Sequence, residues 1–168
     1  MKKYAYDVKD TNDRKWLYSE TIKDHFFNPR NFLAEEPKNE EFDALGVVDH
    51  SMCGDVMKMW IRVDKKNNKI KKVGWKTFGC APAIAATSML SVMISEKGGM
   101  TLEEAYKITP SAITKRMGGL PLRKVHCSVL GDQALRKAID NYKKTNRQIS
   151  NEILKRLSSS PRNFRGSK

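Results

Sequence analysis

Three cysteines, Cys53, Cys80 and Cys127, are the residues of this chain best suited to chemistry. Their number is odd, and because no apolar stretch follows the first residues we expect no export signal, so a disulfide framework is a poor explanation. Reduced thiols either pack as small hydrophobes or act as thiolates that bind metals or attack electrophiles. No pair has the Cys-x-x-Cys spacing, so neither a zinc ribbon nor a thioredoxin-like centre is predicted.

The spacing of Cys53 and Cys80 predicts that they meet across a β-hairpin. Apolar residues alternate along residues 56–64 and again along 73–77, and residues 66–69 between them have turn chemistry. The two cysteines are 27 residues apart, with their midpoint in this turn, so pairing about the turn places them opposite each other. A bulge of one residue would shift the register without separating them far.

Further donor groups lie beside the cysteines. Predicted helices begin just after Cys80 and just after Cys127, and helix N-termini favour thiolates. Asp55 follows the first cysteine by two residues, and His126 directly precedes the third. Three thiolates with one carboxylate and one imidazole form a soft site suited to iron-sulfur chemistry or zinc, and unsuited to magnesium or calcium.

The elements that position these residues indicate an α+β domain. A helix is predicted after an N-cap at Ser19, then three or so antiparallel strands, then a run of helices. Two other histidines, His25 on the first helix and His50 in a polar loop, are expected at the surface or in capping roles. We expect an extended leader over residues 1–17, a folded domain over 18–145, and a basic helical extension with a flexible tail over 146–168.

The charge of the chain invites a nucleic-acid interpretation but does not favour it. Lys and Arg number 32 against 19 Asp and Glu, a net charge of +13. The basic residues mostly adjoin apolar positions, so a solvated basic surface is favoured over an acidic protein partner, and nucleic acid ranks last. A hydrophobic content of 39 % excludes wholesale disorder. Since no apolar stretch is long enough to span a bilayer, we expect no membrane partner and a cytoplasmic location.

Three segments resemble the signature segments of the IscU/NifU family of iron-sulfur cluster assembly scaffolds. They are Cys53-Gly54-Asp55, residues 78–85 (FGCAPAIA) and residues 118–130 (GGLPLRKVHCSVL). Residues 24–31 (DHFFNPRN) are similar to the N-terminal segment of that family. The resemblance runs from about Tyr18 to Tyr142, and the motifs account for all three cysteines.

The resemblance implies a three-stranded antiparallel sheet packed against helices, and an assembly scaffold rather than a turnover enzyme. The family builds a [2Fe-2S] cluster from iron and from persulfide sulfur that a cysteine desulfurase delivers, and passes it to apo iron-sulfur proteins. The implied cluster ligands are Cys53, Cys80 and Cys127. Cys127 is also the implied persulfide acceptor, and Asp55 matches the aspartate that tunes cluster lability. His126 and Lys124 match the neighbours of the third cysteine, and the fourth ligand stays open between Asp55 and His126.

Departures from the family pattern and two rival functions complete the expectations. Residues 120–124 read LPLRK where bacterial members carry Leu-Pro-Pro-Val-Lys, so a dedicated Hsp70 chaperone is not expected to read them. A zinc-bound sulfur acceptor that relays persulfide is the alternative function, and zinc can also occupy the cluster-free scaffold. An RNA-binding protein would follow from charge alone. The iron donor and a homodimer are left open.

Overall fold

The computed structural model describes residues 18–38, 40–50, 54–120 and 129–159. Their elements are α1 (Glu20–Phe27), β1 (Ala44–His50), β2 (Asp55–Asp64), β3 (Lys69–Phe78), α2 (Ala81–Ser95), α3 (Leu102–Tyr106), α4 (Pro110–Arg116) and α5 (Val129–Ser159). The strands form an antiparallel sheet in the order β1-β2-β3. The predicted α+β class is therefore confirmed.

Local capping signals set the helix starts that the sequence predicts. The hydroxyl of Ser19 accepts a hydrogen bond from the backbone N–H of Ile22 at 3.2 Å and so caps α1. Thr101 and Glu104 form a reciprocal capping box at the start of α3. Each of these bonds satisfies a backbone donor that the first turn of a helix leaves unpaired.

The core lies between one face of the sheet and two helices. Met57, Met59 and Ile61 of β2 point to this face and are fully buried, with Trp75 of β3 beside them. α2 packs over the sheet with apolar and small residues on nearly all its sides, while α5 packs against β1 and β2. Such a helix, apolar all round, requires cover from every direction, and α1 and α5 provide it.

The other face of the sheet is covered by the loop between α1 and β1. Gly74 lies on this face, opposite Trp60 in the ladder. A Cβ atom built on Gly74 would lie 2.7 Å from the Leu33 side chain and 3.0 Å from the ring of Phe42. The missing side chain thus admits the loop, which the pairs Lys58–Glu36 and Lys72–Glu41 also tie to the sheet.

A close backbone approach sets the direction of α5 against β1. A Cβ atom on Gly46 would overlap the carbonyl oxygen of Ala134 and lie 2.5 Å from the amide nitrogen of Ala138. One turn further along α5, the side chain of Asn141 donates a hydrogen bond to the Leu45 carbonyl at 2.8 Å. Because later residues of α5 meet earlier residues of β1, the helix starts at the end of the sheet where β1 finishes.

The expected surface position of His25 is wrong. Its side chain is only 6 % exposed, and Nδ1 lies 2.8 Å from the hydroxyl oxygen of Ser88 in α2. Burial, followed by the charge of Arg30, lowers the pKa of His25 below the ordinary value of 6.5. The shift favours the neutral imidazole in this buried position between α1 and α2.

The second half of α5 carries exposed basic side chains. Tyr142 is buried, and the side chains of Lys143, Lys144 and Arg147 that follow it are exposed. The helix continues to Ser159. The predicted leader over residues 1–17 and the tail from residue 160 lie outside the described residues. In the described part of the chain, no helix combines the length and the apolar character needed to cross a bilayer.

Replacing Gly46 with Ala should destabilise the fold, because the new methyl group meets helix backbone that has no room to move. We expect the free energy of unfolding to fall by about 3 kcal/mol, the upper end of the usual cost of overpacking. Urea unfolding measures this loss. Asn151→Ala, an exposed position on α5, is the matched control, and a loss below about 1 kcal/mol at Gly46 would refute the close approach.

Candidate metal centre

Several elements meet at the end of the sheet that leads into Cys80, and this end forms one edge of the fold. β1 ends there, β2 begins there, β3 ends there and α2 follows directly. Cys80 is the N-cap residue of α2, with extended φ and ψ of −74° and 163°, and its carbonyl accepts the first bond of the helix from the N–H of Ile84 at 3.1 Å. Pro82 in the first turn suits this start, since its missing N–H would have no partner there. The half-buried Cys80 therefore lies at the N-terminus of α2.

A bulge fixes which residue lies opposite Cys80. The register of the β2–β3 hairpin shifts by one residue between Arg62 and Val63, and its last pair is Val56 with Phe78. Continuing this pairing places Asp55 opposite Gly79 and Gly54 opposite Cys80. The sequence-predicted pairing of Cys53 with Cys80 involves a residue outside the described ones, and the bulge displaces that register by one position.

The carboxylate of Asp55 lies over the backbone that leads into Cys80. A Cβ atom built on Gly79 would be 3.2 Å from Oδ2 and 3.3 Å from Cγ of Asp55. The same point would be 3.1 Å from the hydroxyl oxygen of Thr77. Strand alternation puts Asp55, Thr77 and Gly79 on the core face of the sheet, the side on which α2 starts.

Only two of the sequence-predicted donors fall within the described part of the chain. Cys80 and Asp55 are there, and the structure brings them to the same edge. Cys53, Lys124, His126 and Cys127 lie outside it. Among residues 18–38, 40–50, 54–120 and 129–159, no three His, Cys, Asp or Glu side chains come together closely enough to hold a metal ion.

The first turn of α5 packs against the middle of α2. A Cβ atom on Gly131 would lie 2.9 Å from the hydroxyl oxygen of Thr87 and 3.2 Å from Cδ2 of Leu90. This contact and the direction of α5 along β1 both place the start of the helix near the edge that carries Cys80. Its first described residue, Val129, follows Cys127 by two positions.

The first turn of α5 also contains a buried carboxylate, Asp132, which the sequence analysis did not identify. Asp132 is 3 % exposed, and Oδ2 lies 3.4 Å from Nη2 of Arg136 one turn later. Burial raises the pKa of Asp132, while the charge of Arg136 opposes that rise. Arg136 also donates to the Ile108 carbonyl at 2.9 Å and lies over the ring of Tyr106. The spacing of four residues between Asp132 and Arg136 was the available signal.

The sequence is similar to that of a protein family and of several iron-sulfur cluster assembly proteins. The model of the NifU-like N terminal domain matches residues 17–149. The iron-sulfur cluster assembly scaffold protein IscU 1 of Archaeoglobus fulgidus is 45 % identical over 133 residues, which cover 79 % of this chain and 81 % of that protein. The mitochondrial iron sulfur cluster assembly protein 1 of Debaryomyces hansenii is 42 % identical over 129 residues, covering 77 % and 69 %.

A solved structure shares the fold. The N-terminal part of a nitrogen-fixing NifU-like protein from Brucella abortus superposes with a TM-score of 0.54 at 16 % identity, over 75 % of this chain and 94 % of that one. The sheet, the surrounding helices and the edge where they meet define an IscU/NifU-type domain. The chain belongs to the NifU-like N-terminal domain family.

Replacing Arg136 with Met should destabilise the protein in a pH-dependent way. The carboxylate of Asp132 then stays buried without its cation, for which we expect a loss of about 2–3 kcal/mol at pH 7.5, below the cost at a fully buried pair because Arg136 is partly exposed. A carboxyl whose folded-state pKa lies above its unfolded value loses stability as pH rises through the folded value. The deficit should therefore shrink toward pH 5.

Urea unfolding at both pH values measures the deficit of Arg136→Met against the wild type. Arg147→Met, an exposed position on the same helix, is the matched control and should show little change at either pH. A deficit of equal size at pH 5 and pH 7.5 would contradict the assignment of the effect to Asp132.

Proposed function

We propose that this protein is a scaffold on which iron and persulfide-derived sulfur are assembled into a [2Fe-2S] cluster for transfer to apo-proteins. The observation that carries the proposal is the convergence of strand and helix ends at one edge, with Cys80 at the start of α2 and the carboxylate of Asp55 over the adjacent Gly79. The printed names of the two sequence relatives, a cluster assembly scaffold and a cluster assembly protein, support the same role.

Covalent connection supports the participation of the other two cysteines. Cys53 is bonded to Gly54, which the continued register puts opposite Cys80, and neighbouring Cα atoms are about 3.8 Å apart. Cys127 precedes Val129 by two residues, which span at most about 7 Å. These short covalent connections to described residues support the participation of both cysteines at the same edge.

The proposed ligand set suits a cluster that must be released to an acceptor protein. Two tetrahedral irons that share two sulfides need four protein ligands. Cys53, Cys80 and Cys127 supply three thiolates, so the fourth position falls to a weaker donor, Asp55 or His126. A carboxylate exchanges with solvent or with an incoming ligand more readily than a thiolate does, and a scaffold requires such exchange for release.

Sulfur would arrive by thiol exchange. The thiolate of Cys127 attacks the outer sulfur of a persulfide on the donor enzyme, a cysteine desulfurase, and the donor cysteine leaves as a thiolate. Cys127 then carries the persulfide, which needs two electrons from an external reductant to become sulfide. The ammonium group of Lys124, three residues away, would favour the attacking thiolate. The iron donor and the apo-protein acceptors are further partners, and the setting would be cytoplasmic.

Anaerobic reconstitution with iron, cysteine and a desulfurase tests the proposal. The wild type should develop the visible sulfide-to-iron charge-transfer absorption of a [2Fe-2S] centre, with two irons and two sulfides per cluster. Separate Cys53→Ala, Cys80→Ala and Cys127→Ala variants should lose most of this absorption. Colour that survives all three changes would refute the proposal, while binding of zinc without any colour would favour the persulfide relay.

Replacing Asp55 with Ala should lengthen the life of the assembled cluster, because the exchangeable oxygen donor or the opening it maintains for solvent is removed. We expect decay of the visible absorption under a chelator to slow by about tenfold, as a kinetic effect on ligand exchange comparable in size to the equilibrium effects of changes around metal ligands. Asp49→Ala is the matched control, since Asp49 lies at the same end of the sheet but on the opposite face. Decay of Asp55→Ala as fast as wild type would exclude this role.

A further inference from the structure

Gly79 separates the last residue of β3 from the cysteine that caps α2. Glycines that serve backbone conformation in this fold have positive φ, as at Gly54 and Gly118, and Gly79 is not among them. An alanine could therefore adopt the backbone of Gly79 without strain. The reason for a glycine at this position must lie in the space that a side chain would fill.

That space is occupied by the side chains of Asp55 and Thr77. A Cβ atom on Gly79 would approach Oδ2 and Cγ of Asp55 to 3.2 and 3.3 Å and Oγ1 of Thr77 to 3.1 Å, all closer than ordinary van der Waals contact. The Thr77 hydroxyl is held in place because it donates a 2.7 Å hydrogen bond to the Val56 carbonyl. The half-exposed carboxylate of Asp55 is the group with room to move.

We propose that Gly79 is a positioning residue, whose missing side chain creates the place from which the Asp55 carboxylate reaches a metal ion held by Cys80. The proposal rests on the proposed function, in which both side chains are donors to iron. A methyl group at Gly79 would push the carboxylate outward by a few tenths of an ångström or into another rotamer. Donor distances in metal sites lie within about 0.2 Å of their usual values, so such a shift would weaken or remove the oxygen donor.

Cobalt(II) is a suitable probe, because its visible absorption reports both thiolate ligation and coordination geometry in the full chain before any cluster is built. Affinity is measured by competition with a chelator for the wild type, Gly79→Ala, Asp55→Ala and the double variant. We expect Gly79→Ala to weaken cobalt binding by about tenfold and to change the spectrum as Asp55→Ala does. The double variant should bind no more weakly than Asp55→Ala alone, because both changes remove the same donor.

A longer carboxylate separates positioning from general damage. In Asp55→Glu combined with Gly79→Ala, the additional methylene lets the carboxylate pass the methyl group, and cobalt affinity should recover in part. Phe78→Ala is the matched control, since Phe78 is 82 % exposed, adjoins Gly79 and points to the opposite face. All variants should melt close to the wild type, because the crowded atoms belong to side chains.

The outcomes distinguish this inference from the function on which it rests. Wild-type cobalt affinity in Gly79→Ala, together with weakened binding in Asp55→Ala, would overturn the role of Gly79 and leave the scaffold proposal standing. A double variant that binds much more weakly than either single variant would also overturn it, because the two effects would then be independent. Cobalt binding that survives Cys80→Ala would instead overturn the metal site and, with it, the proposed function.

Discussion

The contact of α5 with β1 at Gly46 is the constraint on which the arrangement of the candidate site depends. Helix backbone at Ala134 and Ala138 lies against the strand where any side chain would intervene. This approach sets both the distance and the direction of the helix. Since α5 is long and continuous, its direction at Gly46 determines where its first turn lies, and that turn follows the third cysteine.

Packing of α2 against the sheet fixes the position of Cys80, the other part of the candidate site. α2 is covered on nearly all sides, so its position follows from the apolar surfaces of the sheet, α1 and α5 together. Two of its buried hydroxyls hold the loop after α1: Ser88 accepts from the N–H of Arg30 at 2.8 Å, and Ser91 donates to the Arg30 carbonyl at 3.0 Å. The helix start at Cys80 is thereby held at the edge while the core lies behind it. A rigid support of this kind keeps a donor atom in place without covering it.

The donors at this edge differ in strength in a way that fits temporary binding. In the proposed scaffold, the sulfur of Cys80 would be a soft ligand, whereas the carboxylate of Asp55 would be a harder and more exchangeable one. The register of the hairpin and the space over Gly79 determine the position of Asp55. No ion pair found among the described residues contributes to it. Under that proposal, the site would combine attachment through sulfur with a replaceable oxygen position, as assembly and release together require.

Much of the fold was predictable because its signals are local. The N-cap at Ser19, the capping box at Thr101 and the turn of the β2–β3 hairpin each depend on residues a few positions apart, and all three are found. The resemblance of three short segments to one family indicated the same fold, which the family match bears out. The burial of His25 could not be inferred in this way, because its partner Ser88 is 63 residues away.

The amino-acid sequence by itself determined the kinds of donor available, the alternation that makes the strands and the points at which the helices begin. Tertiary structure decided the one-residue shift at Arg62, the place of the Asp55 carboxylate over Gly79 and the direction of α5. The physical reason is that the shared space and the backbone approach are settled by packing between segments distant in the chain, while residue types alone do not specify which ladder position a bulge leaves unpaired. Such packing cannot be predicted from a local pattern of residue types.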